Sequence, residues 1–143
     1  MSFTLDVSNW VAKANGNVDR AVRYVLISLS KNIIMRNPVG DAIYWKSRAP
    51  KGYVGGRSRA NWQYGNNDAP NGILNATDKT GASTISRLTS QINSAPTAAV
   101  HWFTNNLDYI QALENGHSRQ APNGMVKITI MEFQRYVRDS VGK

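Results

Sequence analysis

His101 and His117 are the only two histidines of the chain, and it has no cysteine. Without a thiol, disulfide scaffolds, thiolate zinc sites and cysteine nucleophiles are excluded. His101 stands in the apolar run Ala99-Val100-His101-Trp102-Phe103, where a histidine satisfied by the fold outweighs a catalytic one. His117 follows Gly116 close to Glu114, a juxtaposition that acid–base chemistry would use. Asn115-Gly116 makes that place a turn, however, and a turn histidine usually serves as polar surface. No HExxH, paired-histidine or carboxylate cluster offers metal ligands. Gly52-Tyr53-Val54-Gly55-Gly56 is glycine-rich, but it lacks the Gly-Lys-Ser/Thr ending of a phosphate-binding loop. These residue types argue against an enzyme, and no catalytic group, cofactor or metal is expected.

Charge is more informative. Seventeen Lys and Arg against nine Asp and Glu leave a net charge of +8 on 143 residues, with a pI near 10.1. A chain this basic is expected to meet something anionic. Six of the cations, Arg36, Lys46, Arg48, Lys51, Arg57 and Arg59, fall in one stretch with Asp41 as its single acid, a local +5. Tyr44, Trp45 and Tyr53 lie among them, followed by Trp62 and Tyr64. One reading turns Lys46, Arg48 and Lys51 toward DNA phosphates, where each neutralised phosphate adds affinity through counterion release. The other is a solvated basic loop, or one paired with acids of a neighbouring subunit. No base-reading motif is evident, so any nucleic-acid contact would be independent of sequence. Trp45 and Tyr53 suit an anchor on the chain's own body, a pocket on a partner, or stacking on single-stranded nucleic acid.

These residues need elements to hold them. The length suits one domain of about 100–150 residues. Val18, Ala21, Val22, Val25, Leu26, Leu29, Ile33 and Ile34 recur at three- and four-residue steps, which predicts a helix from Asn17 to near Arg36, stopped by Pro38. The whole N-terminal third, residues 1–36, reads as helical, with Ser8 or Asn9 capping an earlier turn. Residues 37–57 read as a long irregular loop and Ser58–Tyr64 as a strand, with Trp62 and Tyr64 on one face. A short strand is expected near Ile73–Thr77, a helix over Ala82–Asn93 and a strand over Ala98–Thr104. Leu107–Glu114 is expected to be a short helix stopped at Asn115-Gly116. Val126, Ile128 and Ile130 alternate as in a strand, yet length favours one closing helix from about Met125. The fold class is therefore α+β: a small antiparallel sheet packed with N-terminal, middle and C-terminal helices, plus a projecting loop. No secretory leader or membrane-length apolar stretch is visible, so a soluble cytoplasmic product is expected.

Ordered stretches of the chain resemble a known family. Arg36-Asn37-Pro38-Val39-Gly40-Asp41, followed by Gly55-Gly56-Arg57-Ser58-Arg59-Ala60-Asn61-Trp62, is similar to the R-x-P-V-D-T-G-x-x-R-x-x-W signature of minor tail or neck components of tailed bacteriophages. Asn105-Asn106-Leu107-Asp108-Tyr109-Ile110 and Leu113-Glu114-Asn115-Gly116-His117-Ser118 resemble its N-N-x-x-Y-x-x-x-L-E-x-G-x-S stretch. Gln120-Ala121-Pro122-Asn123-Gly124-Met125-Val126 matches its Q-A-P-x-G-M-V. The likeness runs in order from about Val7 to Val137. One departure stands out: the short V-D-T-G link is expanded here, with Gly40–Gly55 taking in Trp45, Lys51 and Tyr53.

The resemblance implies a structural virion protein of the neck, made in the host cytoplasm and acting in head–tail joining or tail completion. Its partners would be further copies of itself in a ring around the DNA channel, with a hexamer favoured over a dodecamer. Connector, tail-terminator or tail-tube proteins would adjoin it, packaged DNA would be met without sequence specificity, and no membrane is implied. A ring closes through heterologous contacts. On this resemblance the interface falls to Tyr44, Trp45, Tyr53, Arg57 and Arg59, with Lys46, Arg48 and Lys51 turned to the channel. The competing class is a sequence-independent nucleic-acid-binding module.

Overall fold

The structure, a computed structural model, describes residues 1–7, 17–40, 51 and 54–141. Its frame is a three-stranded antiparallel sheet laid against helices, the α+β arrangement expected from the sequence. The strands are β1 (Ser2–Asp6), β2 (Gln63–Asn66) and β3 (Val100–Thr104), in the order β1-β3-β2. The helices are α1 (Asn17–Arg36), α2 (Arg57–Ala60), α3 (Ala82–Ser94), α4 (Ile110–Glu114), α5 (Val126–Met131) and α6 (Phe133–Val141).

The anticipated apolar stripe of α1 forms the centre of the molecule. Val22, Val25, Leu26, Leu29, Ile33 and Ile34 are all buried, because their spacing keeps them on one side of the helix. α1 packs against α3, α5 and α6. Leu88 and Ile92 of α3 and Phe103 and Tyr64 of the sheet complete the main cluster, while Leu29, Val25 and Tyr136 make a second beside Phe3 and Leu5. Phe3 stacks on Phe103 with ring centroids 4.9 Å apart.

Four expectations need correction. Ser2–Asp6 is a strand, not part of a helical N-terminal third; Phe3 and Leu5 alternate with Ser2, Thr4 and Asp6, a period of two. Ser58–Ala60 lies in a helical turn, and the strand starts only at Gln63. Residues 73–77 form no strand; instead the Asn61 side chain brackets Leu74, accepting from its N–H at 2.7 Å and donating to its carbonyl at 3.0 Å. The closing helix is two helices broken at Glu132. There the Glu132 carbonyl accepts from Arg135 N and Tyr136 N, while its carboxylate is held by Arg36, Arg135 and Tyr136.

Candidate functional site

The stretches that carry the family resemblance lie far apart in sequence, and the fold gathers them at the C-terminal end of α1. Asn37 is its hub and is fully buried. Its side-chain oxygen accepts from the Trp62 indole at 2.9 Å, and its amide nitrogen donates to Ser58 Oγ at 2.6 Å and Pro38 O at 2.9 Å. Asn105 donates to Ser58 O at 2.9 Å. Buried amides need every bond they can make, so this web holds α1, α2 and the end of β3 in one geometry.

Arg59 closes the end of α1. Its guanidinium donates to Met35 O at 3.1 Å, Asn37 O at 2.9 Å and Lys79 O at 2.6 Å. A cation on the last carbonyls complements the helix dipole. Burial lowers the Arg59 pKa from its ordinary value, and the negative charge of Asp78 works against that. Asp78 in turn caps α3, accepting from Gly81 N at 3.0 Å and from Thr84 N and Oγ1 at 2.8 Å each. Desolvation opposes its ionisation, yet these donors outweigh it and hold its pKa below the ordinary value.

A second clamp joins the C-terminal motifs to the same place. Glu114, only 4% exposed, accepts from the backbone N–H of Met125, Val126 and Lys127 at 2.9–3.0 Å. It therefore satisfies the otherwise orphaned donors that open α5, and no hydrogen bond joins it to the exposed His117. Gly124, at φ 82°, passes so close that a Cβ would lie 2.5 Å from Glu114 O. Gln120 pairs with the Val39 peptide through two bonds, 3.0 Å to its N–H and 2.8 Å to its carbonyl. Arg36 reaches Thr129 Oγ1 at 2.9 Å and Glu132 Oε1 at 2.7 Å.

A Cβ on Gly55 would fall 1.9 Å from Gly40 O, so the two ends of the expanded link touch. Tyr44, Trp45, Lys46, Arg48 and Tyr53 lie outside the described residues. Lys51 and Arg57 are exposed. Of the six cations that make the +5 stretch, Arg36 and Arg59 are thus committed to internal partners. Sequence reasoning named Arg59 but missed Asn37, Gln120 and Asn105 as its companions; a buried-amide role leaves no periodic trace, only asparagine beside proline or at a strand end.

His101 sits 1% exposed on β3. Its Nδ1 is 2.7 Å from the Tyr64 hydroxyl and its Nε2 is 2.9 Å from Thr97 O. Since the carbonyl only accepts, Nε2 carries the hydrogen and Tyr64 donates to Nδ1. Burial lowers the His101 pKa and raises that of Tyr64. Beside them, Asp19 bonds Arg23 and Thr97, and Arg23 donates to Ala95 O at 2.9 Å. These bonds tie β3, β2 and the start of α1 to the segment before β3.

Among the described residues no group of three or more His, Cys, Asp or Glu comes together to hold a metal ion. Among them, too, no helix is long and apolar enough to cross a membrane. Comparison with protein-family models, with curated proteins and with solved structures gives no match in any of the three.

Proposed function

We propose that this chain is a structural subunit of the neck of a tailed bacteriophage particle, a ring-forming component that joins head to tail or completes the tail around the DNA channel. The observation that supports this reading most is the convergence of the family-like stretches. Residues 36–40, 55–62, 105 and 114–126 build one hydrogen-bonded frame, and the expanded link departs from it and returns to it at Gly40 and Gly55. An insertion with touching ends can be lengthened without disturbing the body that carries it. Such a segment, bearing Tyr44, Trp45 and Tyr53, is suited to grip the next subunit, with Arg57 at its foot.

The test separates folding from assembly. Trp45→Ala is expected to leave the thermal midpoint of the isolated subunit within about 2 °C of the parent and to impair its incorporation into particles. An equal loss of midpoint and incorporation would count against an interface role.

The second reading, a sequence-independent nucleic-acid binder, is favoured by the distribution of charge. Asp19, Asp78, Glu114 and Glu132 are engaged in internal bonds, whereas Lys31, Lys51, Arg57, Lys79, Lys127 and Arg138 are exposed. Four arginines, Arg23, Arg36, Arg59 and Arg87, are held internally too, so the surface keeps the basic excess of the composition. Duplex DNA titrations at two salt concentrations decide it: a direct binder shows a steep salt slope, and flat, negligible binding removes this reading.

A further inference from the structure

The sheet has two edges, and the fold treats them differently. Just before β2, Arg87 of α3 donates to Ala60 O at 3.1 Å and Trp62 O at 3.0 Å. Gln63 reaches Gly72 O at 3.0 Å. At the other edge, the bonds Val7 N to Ala99 O and Asn105 N to Met1 O set the phase of the β1–β3 ladder. Met1, Phe3, Leu5 and Val7 thus turn their backbone groups toward β3. By alternation, the N–H and C=O of Ser2 and Thr4 point outward, and both residues are exposed. Natural edges are blunted by lysine, proline or a bulge, and Ser2-Phe3-Thr4-Leu5-Asp6 has no lysine or proline and a continuous register. On the core face of the same strand, Met1, Phe3 and Leu5 pack against the main cluster while remaining only partly buried.

We propose that this edge pairs with β1 of a second copy of the chain, antiparallel about a two-fold axis at Phe3. Ser2 then faces Thr4 of the second copy, and the outward groups of these residues make four backbone hydrogen bonds. Below them Phe3 meets Phe3, and Met1 meets Leu5, so one apolar row runs unbroken across the axis. The occupant is a second copy because the row is its own complement under the two-fold. Despite the +8 of the chain, Ser2–Asp6 carries no cation to repel another copy, and the two Asp6 side chains fall at opposite ends. The pairing joins the two three-stranded sheets into one of six strands. The contact is isologous, distinct from the heterologous contacts that close a ring, and the inference does not rest on the ring reading.

Thr4→Pro removes one outward N–H per copy and leaves the β1–β3 bonds in place. Sedimentation velocity over a hundredfold concentration range is expected to show the parent chain passing from monomer to dimer. Thr4→Pro should remain monomeric with an unchanged far-UV spectrum. In any larger assembly the same pairing is read as a halving of copy number in Thr4→Pro. The cysteine-free background provides an independent check that also fixes the register. Ser2→Cys combined with Thr4→Cys should form a disulfide-linked dimer on mild oxidation, while each single variant should not, since identical positions lie beyond the roughly 7 Å Cα separation a disulfide spans. A parent chain that stays monomeric, a Thr4→Pro chain that pairs as well as the parent, or single-cysteine variants that cross-link as readily as the double overturns the proposal.

Discussion

Glu114 shows how a residue that resembles a catalytic acid is explained by its bonds. Its carboxylate accepts three backbone N–H groups at the start of α5, and hydrogen bonds to a charged group contribute about 1.5–3 kcal/mol. Glu114→Ala is expected to lower unfolding free energy by about 2–3 kcal/mol in urea titrations, and Glu114→Gln by roughly half that, because the amide oxygen still accepts. His101 and Tyr64 make the stability depend on pH. The folded state holds His101 below its ordinary value of 6.5, so the unfolded chain takes up the proton first. That contribution is complete above pH 6.5 and is lost as pH falls toward the folded value. Tyr64 is raised above 10.0, so its contribution is complete below pH 10 and lost above it. Asp78 and Glu132, held below 3.8 and 4.5, add stability that is lost only in stronger acid. Thermal midpoints measured from pH 4 to 11 should form a plateau between about 6.5 and 10, and His101→Gln should flatten the shoulder just below 6.5.

At the scale of elements, what was legible in the sequence followed periodicity. α1 and α3 announce themselves because Leu26, Leu29, Ile33, Leu88 and Ile92 recur at helical steps and face one core. β3 is apolar and β-branched enough to stand out. β1 was missed since five alternating residues at the start of a chain resemble any polar-apolar mixture until β3 supplies a register. The break at Glu132 was equally hidden: the carboxylate there pairs with Arg36, distant in sequence. The frame around Asn37 depends on such long-range partners throughout, so only its residue types were visible beforehand. Two substitutions test the joints between elements. Arg59→Met should cost about 1–2 kcal/mol, since it uncovers the last carbonyls of α1. Gly124→Ala combines a φ of 82° with contacts 2.5–2.6 Å from Glu114, and should cost about 1–3 kcal/mol. Both are read by the denaturation midpoint at constant m-value.

For the whole molecule, the main lesson concerns charge. Four carboxylates cap helices or pair with arginines, and four arginines are held by internal partners in turn, so the basic excess of the sequence carries through to the surface. The excess is also less concentrated than the run Arg36–Arg59 suggests, because Arg36 and Arg59 hold the frame. Lys79, Lys127 and Arg138 extend the basic surface well beyond that run. The touching ends at Gly40 and Gly55 predict that residues 41–54 can be replaced by a two-residue Asp-Gly turn. The midpoint should move by less than about 5 °C, while assembly is lost. The ring itself is the central claim, and native mass spectrometry tests it most directly. The purified chain is measured in a Thr4→Pro background, which removes any β1 pairing, alone and mixed with other neck proteins. The account predicts a monomer when the chain is alone and a closed oligomer, six copies ahead of twelve, once it is mixed with its neighbours. A strict monomer in every mixture would contradict it.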